Sequence, residues 1–124
     1  MTQSAIIERI AARGDGATAD GRYVAGAVPG DILHADGRLE AGPNRAEPPC
    51  RHFGKCGGCQ LDVTYPQQLG YKMRIVRELL GKFGKVEPVV GMDDPMHYRC
   101  KVSSAFGYAR GRIQAGGTAG CCCS

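Results

Sequence analysis

The segment CRHFGKCGGCQ, residues 50–60, concentrates three cysteines and three glycines in a short stretch of the chain. It offers too little apolar surface for burial in a hydrophobic core to order it. The whole chain has 124 residues, and domains of this size bury a limited share of their surface on folding. The sequence therefore predicts that a group bound by the thiols, and not a hydrophobic core, orders this segment.

Cys50, Cys56 and Cys59 follow the pattern C-x5-C-x2-C. Two cysteines separated by two residues can direct their sulfurs to one metal centre, and the longer arm lets the chain loop back with the third. Gly57 and Gly58 allow backbone N–H groups to approach the sulfurs. Zinc sites usually combine two C-x2-C pairs, whereas this chain has one, so the spacing favours an iron–sulfur cluster. Zinc and free or redox-active thiols remain alternatives.

The cysteine count also bears on the compartment. The chain has seven cysteines, an odd number that fits poorly with a closed disulfide framework. No run approaches the ~18 apolar residues of a membrane span, and the N-terminal sequence lacks the apolar region of a signal peptide. We therefore expect a cytoplasmic protein with reduced thiols and no membrane partner. Nothing in the sequence indicates an oligomer.

Positive charge is concentrated in the second half of the chain. Residues 1–65 carry seven Lys and Arg against eight Asp and Glu, whereas residues 66–124 carry nine against four. A surface that faces phosphate groups needs such a surplus, but a solvated helix face gives the same count. Nucleic-acid contact and a solvated face therefore both remain open on this evidence.

Short apolar segments alternate with turn residues over residues 4–33. Asp20-Gly21 is a favoured hairpin turn because both central residues can take positive φ. The pattern predicts a small β-barrel, although the spacing of three isoleucines also allows a helix over residues 4–12. Residues 35–49 are rich in Gly, Pro, Asn and charges, which indicates a linker or a degraded hairpin.

One amphipathic helix is predicted after the cysteine segment. Thr64 and Gln67 form a capping box at its start, and Pro66 lies in the first turn, where its missing N–H is harmless. We expect the helix to cover residues 65–84 and to end at Gly84. Its apolar stripe consists of Leu69, Met73, Val76, Leu80 and Phe83.

The C-terminal part has a hairpin pattern. The stretch YRCKVSSAFGYARGRIQA, residues 98–115, predicts two strands with a turn near Gly107 to Gly111. The residues that share one face of the first strand are Cys100, Val102, Ser104 and Phe106. The last residues, GGTAGCCCS, show no periodicity.

Several of these residues together resemble a known family. The string C-x-HFG-x-CGGCQL resembles the cluster-binding region of the bacterial RNA uracil-5-methyltransferases. The later residues that share in this resemblance are Tyr65, Gln68-Leu69, Lys72 and Tyr98-Arg99-x-Lys101. These cytoplasmic enzymes methylate C5 of particular uridines in 23S ribosomal RNA. Residues 48–116 carry this resemblance. Three N-terminal motifs resemble the start of a TRAM domain, which is the RNA-binding barrel of that family. These motifs are Gly14–Ala17, Asp20–Arg22 and Ala27–Asp31.

The resemblance implies an α+β fold and a division of the chain into segments. The barrel is expected to be TRAM-like, of the OB type, and incomplete, since Ile32–Glu47 is too short to finish it. The implied segments are a shortened barrel at 4–47, an iron–sulfur cluster loop at 48–64, the amphipathic helix at 65–84, the start of a central β-subdomain at 85–116 and an unmatched tail at 117–124.

The resemblance also implies a cofactor. Cys50, Cys56 and Cys59 correspond to three of the four ligands of a [4Fe–4S] cluster, and the fourth ligand in the family comes from further along the chain. Cys100 occupies the variable place in Tyr-Arg-x-Lys and is expected to face the subdomain core. We interpret the tail with Cys121–Cys123 as a frameshift or truncation product. The alternative is that one of these cysteines supplies the fourth ligand of the cluster.

The implied partner is RNA, and 23S ribosomal RNA in particular. In the family a cysteine thiolate adds to C6 of uracil, and C5 then takes a methyl group from S-adenosylmethionine. We expect the methyl-transfer domain and the S-adenosylmethionine site to lie outside residues 1–124. The alternatives are a stand-alone RNA-binding protein with a cysteine-ligated metal, and a non-functional remnant. The candidate phosphate contacts are Lys72, Arg74, Arg99, Lys101, Arg110 and Arg112.

Overall fold

A computed structural model describes residues 4–54, 59–96, 98 and 106–115 of the protein. The chain forms two compact units, each made of two segments. Unit 1 comprises Met1–Glu47 and Leu61–Gly91, and unit 2 comprises Pro48–Gln60 and Met92–Ser124. Unit 1 thus contains both the N-terminal sheet and the helix, whereas unit 2 contains the cysteine segment and the C-terminal hairpin.

An antiparallel five-stranded sheet forms the N-terminal part of unit 1. Its strands lie in the order β3-β2-β1-β4-β5, and the sheet curls into a half-barrel. The half-barrel agrees with the expected incomplete barrel. Residues 4–12 contain a strand and not the helix that their sequence also allowed. The strands are β1 Ala5–Ile10, β2 Gly16–Thr18, β3 Tyr23–Val24, β4 Ile32–Leu33 and β5 Leu39–Glu40.

A register irregularity in β1 explains why its sequence also resembled a helix. The pairing of β1 with β2 shifts between Ile7 and Arg9, so that Ile7 and Ile10, three residues apart, are both buried. A bulge inserts one extra residue and breaks the ordinary alternation of a strand. The resulting spacing of three is also the spacing of a helix face, and sequence periodicity alone does not separate the two.

The helix α1 covers Tyr65–Leu80 and starts as predicted. The Oε1 atom of Gln67 accepts hydrogen bonds from the Thr64 N–H at 3.0 Å and from the Thr64 hydroxyl at 2.8 Å. The helix ends at Leu80, one turn before the expected end at Gly84. The N–H of Gly81 still donates to the Arg77 carbonyl at 2.9 Å, and the chain then turns away.

The face of α1 that packs on the sheet is not the predicted apolar stripe. Tyr71 and Ile75 lie against the cluster of buried residues formed by Ile10, Val28 and Val63. In the predicted stripe, Val76, Leu80 and Phe83 are exposed by 36%, 53% and 77%. The helix is apolar on more than one side, and tertiary contact selected a side other than the most regular one.

A β-hairpin ends the described part of unit 2. Strands β6 Phe106–Ala109 and β7 Arg112–Ala115 are antiparallel, and Ala109 pairs with Arg112 across a two-residue turn. Arg110 and Gly111 in this turn have φ of 53° and 75°, the left-handed pair that matches the twist of the strands. The predicted hairpin is thus present, with a tighter turn than expected, while Cys100, Val102 and Ser104 lie outside the described residues.

Taken together, the described elements form an α+β architecture, as expected. A half-barrel with one packed helix is consistent with an OB-type small barrel, whereas the TRAM assignment and the cluster loop remain predictions. Across the described ranges, no helix combines the length and the apolarity that crossing a membrane requires.

Candidate nucleic-acid interface and thiol site

Two of the three predicted cluster ligands lie in the described part of unit 2. Cys50 is half-buried, Cys59 is exposed, and both are free thiols. The N–H of Phe53 donates to the Cys50 carbonyl at 3.1 Å, which turns the chain immediately after the first ligand. Cys56 lies outside the described residues. Unpaired thiols are the donor type that zinc and iron–sulfur clusters need, so the residues present fit a thiolate-bound metal group.

Other possible ligands are not assigned by the geometry. Within the ranges that the structure describes, no three His, Cys, Asp or Glu side chains lie close enough together to hold a metal ion. Cys100 and Cys121–Cys123 lie outside those ranges. The predicted ligand set therefore stays a prediction, and so does the fourth ligand.

A network of charged side chains is centred on Asp31, which immediately precedes β4. Asp31 is fully buried and accepts hydrogen bonds from the N–H groups of Val28 at 2.9 Å and Gly42 at 2.8 Å. Arg45 donates to Asp31 at 2.6 Å and to Asp62 at 2.5 Å. The network holds the chain after β5 against the segment that precedes α1.

Hydrogen bonds control the ionisation of Asp31. Burial alone would raise the pKa of its carboxyl group, but the hydrogen bonds from Arg45, Val28 and Gly42 outweigh burial and lower the pKa below the ordinary value. Burial likewise opposes the charge of Arg45, and its bonds to Asp31 and Asp62 raise the pKa of the guanidinium. The pair therefore stays charged at neutral pH. Of the two alternatives for residues 35–49, the hairpin is observed in its first part, where β5 pairs with β4, whereas residues 41–47 form an ordered tether that neither alternative included.

The predicted phosphate contacts on α1 differ in their surroundings. Lys72 and Arg74 are both exposed. Arg74 pairs with Glu78 at 3.1 Å, one turn further along the helix. Residues two apart on a helix point about 200° apart, so these two cations face different sides. Arg99 and Lys101 lie outside the described residues.

The hairpin of unit 2 brings two other predicted contacts together. Arg110 lies at the tip of the turn, and Arg112 begins β7. Both are exposed. Tyr108 pairs with Ile113 across the two strands, and each of these side chains is exposed by 76%. Arg112 pairs with Ala109 and therefore lies on the opposite face of the two strands from Tyr108 and Ile113, whereas Arg110 lies at the tip between the faces. Exposed cations and an exposed aromatic ring are the residue types with which single-stranded nucleic acids are bound.

Sequence reasoning missed a cleft in unit 1. Arg13 from the β1–β2 turn, Tyr23 from β3, and Ile75 and Leu79 from α1 line it together. These residues come from three distant parts of the sequence and form no motif. The sequence offers one signal, an aromatic residue, Tyr23, close after the Asp20-Gly21 turn, and that signal is weak.

The chain is similar in sequence to proteins named uncharacterized RNA methyltransferase. It is 42% identical over 84 residues to one from Halalkalibacterium halodurans, which covers 63% of this chain and 18% of the relative. It is 50% identical over 58 residues to one from Zymomonas mobilis, 47% of this chain and 15% of the relative. The identity to one from Gloeobacter violaceus is 39% over 131 residues, 86% of this chain and 29% of the relative.

No family model and no solved structure matches the chain. The chain spans 15% to 29% of the length of the three relatives. Their similarity nevertheless agrees with the resemblance that the cysteine segment indicated. Over most of its length, this chain is therefore similar to a part of proteins named RNA methyltransferase.

Proposed function

We propose that this chain is the RNA-binding and iron–sulfur part of an S-adenosylmethionine-dependent RNA methyltransferase that acts on C5 of uridine in 23S ribosomal RNA. The observation that carries the proposal is the similarity to a protein named RNA methyltransferase over 86% of the chain. The motif HFG-x-CGGCQL supports the finer assignment to uracil-5 methylation. The free thiols of Cys50 and Cys59 support the metal group.

RNA binding is assigned first to the hairpin of β6 and β7. Arg110 and Arg112 would contact phosphates, because a guanidinium makes two parallel hydrogen bonds to phosphate oxygens. Tyr108 would stack on an unpaired base. Phosphate contacts fix the position of an RNA and carry no sequence information, so the choice of uridine is not assigned to these arginines.

The metal group is assigned to Cys50, Cys56 and Cys59. When bound, the cluster supplies metal–thiolate bonds whose free energy orders a loop with little apolar surface. The turn from Cys50 to Phe53 directs the chain back after the first ligand. The described residues are proposed to bind RNA and the cluster, and none of them is proposed as catalytic.

Replacing the ligands tests the metal assignment. We expect anaerobic reconstitution of the full chain with iron and sulfide to give a protein with bound iron and the visible spectrum of a cubane cluster. Cys50→Ser and Cys59→Ser should each reduce the iron content to background, because a cluster that loses a thiolate ligand exchanges with solvent. Iron count and visible spectrum are the measurements.

Two control variants separate the possible fourth ligands. Cys100→Ser and the triple Cys121/Cys122/Cys123→Ser variant are reconstituted in parallel. Loss of the spectrum in one of them identifies the source of the fourth thiolate. A wild-type protein that binds zinc tightly and takes up no cubane cluster would contradict the iron–sulfur assignment.

The salt dependence of RNA binding tests the hairpin. We expect Arg110→Gln/Arg112→Gln to weaken binding of a single-stranded RNA and to reduce the slope of log affinity against log salt by about 0.7 for each phosphate contact removed. Fluorescence anisotropy at several salt concentrations gives the slope. Arg38→Gln, an exposed cation of unit 1 in the turn between β4 and β5, is the matched control. An equal slope in wild type and double variant contradicts the assignment.

A further inference from the structure

A surface cleft of about 600 Å³ lies in unit 1, where the β1–β2 turn, β3 and the C-terminal half of α1 meet. This volume is within the range of sites for small organic groups. The β1–β2 turn is well defined, since the Ala11 N–H donates to the Asp15 carbonyl at 2.8 Å and the Gly14 N–H to the Ala11 carbonyl at 2.9 Å. The walls of the cleft are therefore regular structure and a hydrogen-bonded turn.

One wall of the cleft is apolar and carries an aromatic ring. Tyr23 lines it with its side chain 62% exposed, and Leu79 lines it with 52% exposed. Ile75 also lines it and packs on the buried core on its other side. Folding leaves this tyrosine uncovered beside apolar side chains, which is the arrangement on which an unpaired base stacks.

The charges around the cleft favour a base inside and a phosphate beside it. Glu78 is already held by Arg9 at 3.4 Å and by Arg74 at 3.1 Å. Arg13 is exposed and forms no ion pair with any residue that the structure describes, so its guanidinium is available to an anion. Asp15 also lines the cleft, and a carboxylate accepts the N–H groups of a base edge but repels a phosphate.

We propose that this cleft binds one unpaired nucleobase of a single-stranded RNA, with Tyr23 stacked on the base and Arg13 on the adjoining phosphate. The inference rests on the proposed function and adds to it a base-binding position outside the hairpin of unit 2. A double helix keeps its bases stacked and paired, so a pocket for a single base selects unpaired RNA.

A comparison of two oligomers tests the base and the phosphate separately. The affinity of the full chain is measured by fluorescence anisotropy for a uridine oligomer and for an abasic ribose–phosphate oligomer of the same length. We expect wild type to prefer the uridine oligomer by about tenfold, the scale of one stacked base. Because Tyr108 is also proposed to stack on a base, Tyr23→Ala should reduce the preference and should abolish it only when combined with Tyr108→Ala, with the affinity for the abasic oligomer kept in both variants. Tyr23→Phe should retain the preference of wild type. Arg13→Gln should weaken the binding of both oligomers severalfold.

The matched controls are Phe83→Ala and Arg38→Gln. Phe83 is an aromatic residue that is 77% exposed and does not line the cleft. Both should leave the preference unchanged. If Tyr23→Ala keeps the preference of wild type, or if wild type binds both oligomers equally, the cleft is not a base site. If wild type binds neither oligomer, the proposed RNA-binding function itself fails. Tyr23→Leu preserves an apolar contact in case the alanine variant folds poorly, and it should reduce the preference in the same way as Tyr23→Ala.

Discussion

Replacing Arg45 with methionine is expected to lower the free energy of unfolding of unit 1 by about 3–5 kcal/mol, because the change leaves a buried carboxylate without its cation. Asp31 is fully buried, and Arg45 is its charged partner. The measurement is denaturant unfolding followed by helical circular dichroism, which reports on α1. Unit 1 contains α1, the helix found within the described ranges.

The control is an ion pair of the same charges on the surface. Lys85 and Glu87 lie 3.1 Å apart with side chains 83% and 71% exposed. Removing this pair with Glu87→Gln should change stability by less than about 1 kcal/mol. A loss for Arg45→Met as small as the loss for Glu87→Gln would show that the buried network does not hold unit 1 together.

Asp31 also determines the direction in which the stability of the folded protein changes with pH. Its pKa is lower in the folded protein than the ordinary value of 3.8, so its contribution is complete above that pH and is lost as the pH falls through the folded pKa. We expect wild type to lose stability in acid below the ordinary value, and Asp31→Asn to be less stable at neutral pH with a shallower acid slope. Some slope remains in the variant, because the pKa of Asp20 is also lowered, first by its hydrogen bond from Thr18.

The second large effect is expected from Gly42→Ala. A Cβ atom at this position would meet the Gly30 carbonyl group and the Asp31 backbone nitrogen, both far closer than van der Waals contact. Backbone atoms cannot rotate away, so the two segments must separate and the hydrogen bond from Gly42 to Asp31 must lengthen. We expect a loss of about 3 kcal/mol, the upper end for overpacking, measured by thermal and denaturant unfolding.

The same substitution one element further on should act in the opposite direction. Gly70 lies inside α1, and a Cβ there would meet no atom within 4 Å. Gly70→Ala is expected to stabilise the protein by about 1 kcal/mol, because alanine is the better helix former. If Gly42→Ala is also neutral or stabilising, the close approach of residues 30 and 42 is not a feature of the folded protein in solution.

Local signals in the sequence predicted the elements whose formation depends on neighbouring residues. Thr64, Pro66 and Gln67 placed the start of α1 correctly, since a cap involves only the first turn of a helix. The C-terminal hairpin was predicted for a similar reason, because a two-residue turn fixes the pairing of the strands beside it. A motif indicated the cysteine ligands and the resemblance to RNA methyltransferases. The structure tests neither the iron–sulfur cluster nor the choice of uridine.

Long-range contacts could not be predicted in the same way. Asp31 follows Gly30 in a sequence typical of a turn, and nothing nearby shows that it is buried and paired with Arg45. The packed face of α1 depends on which residues the sheet presents, and the more regular stripe with Val76 and Leu80 stayed exposed. The cleft of Tyr23 depends on the same packing and was missed for the same physical reason.

The tether after β5 has a further consequence for the cysteine segment. The Ala46 N–H donates to the Asp62 carbonyl at 2.6 Å, so the two ends of residues 47–61 are joined within unit 1. Joining the ends of a flexible loop of this length costs about 2 kcal/mol of chain entropy. Folding of unit 1 meets this cost, so the proposed metal group would bind to a segment whose two ends are already joined.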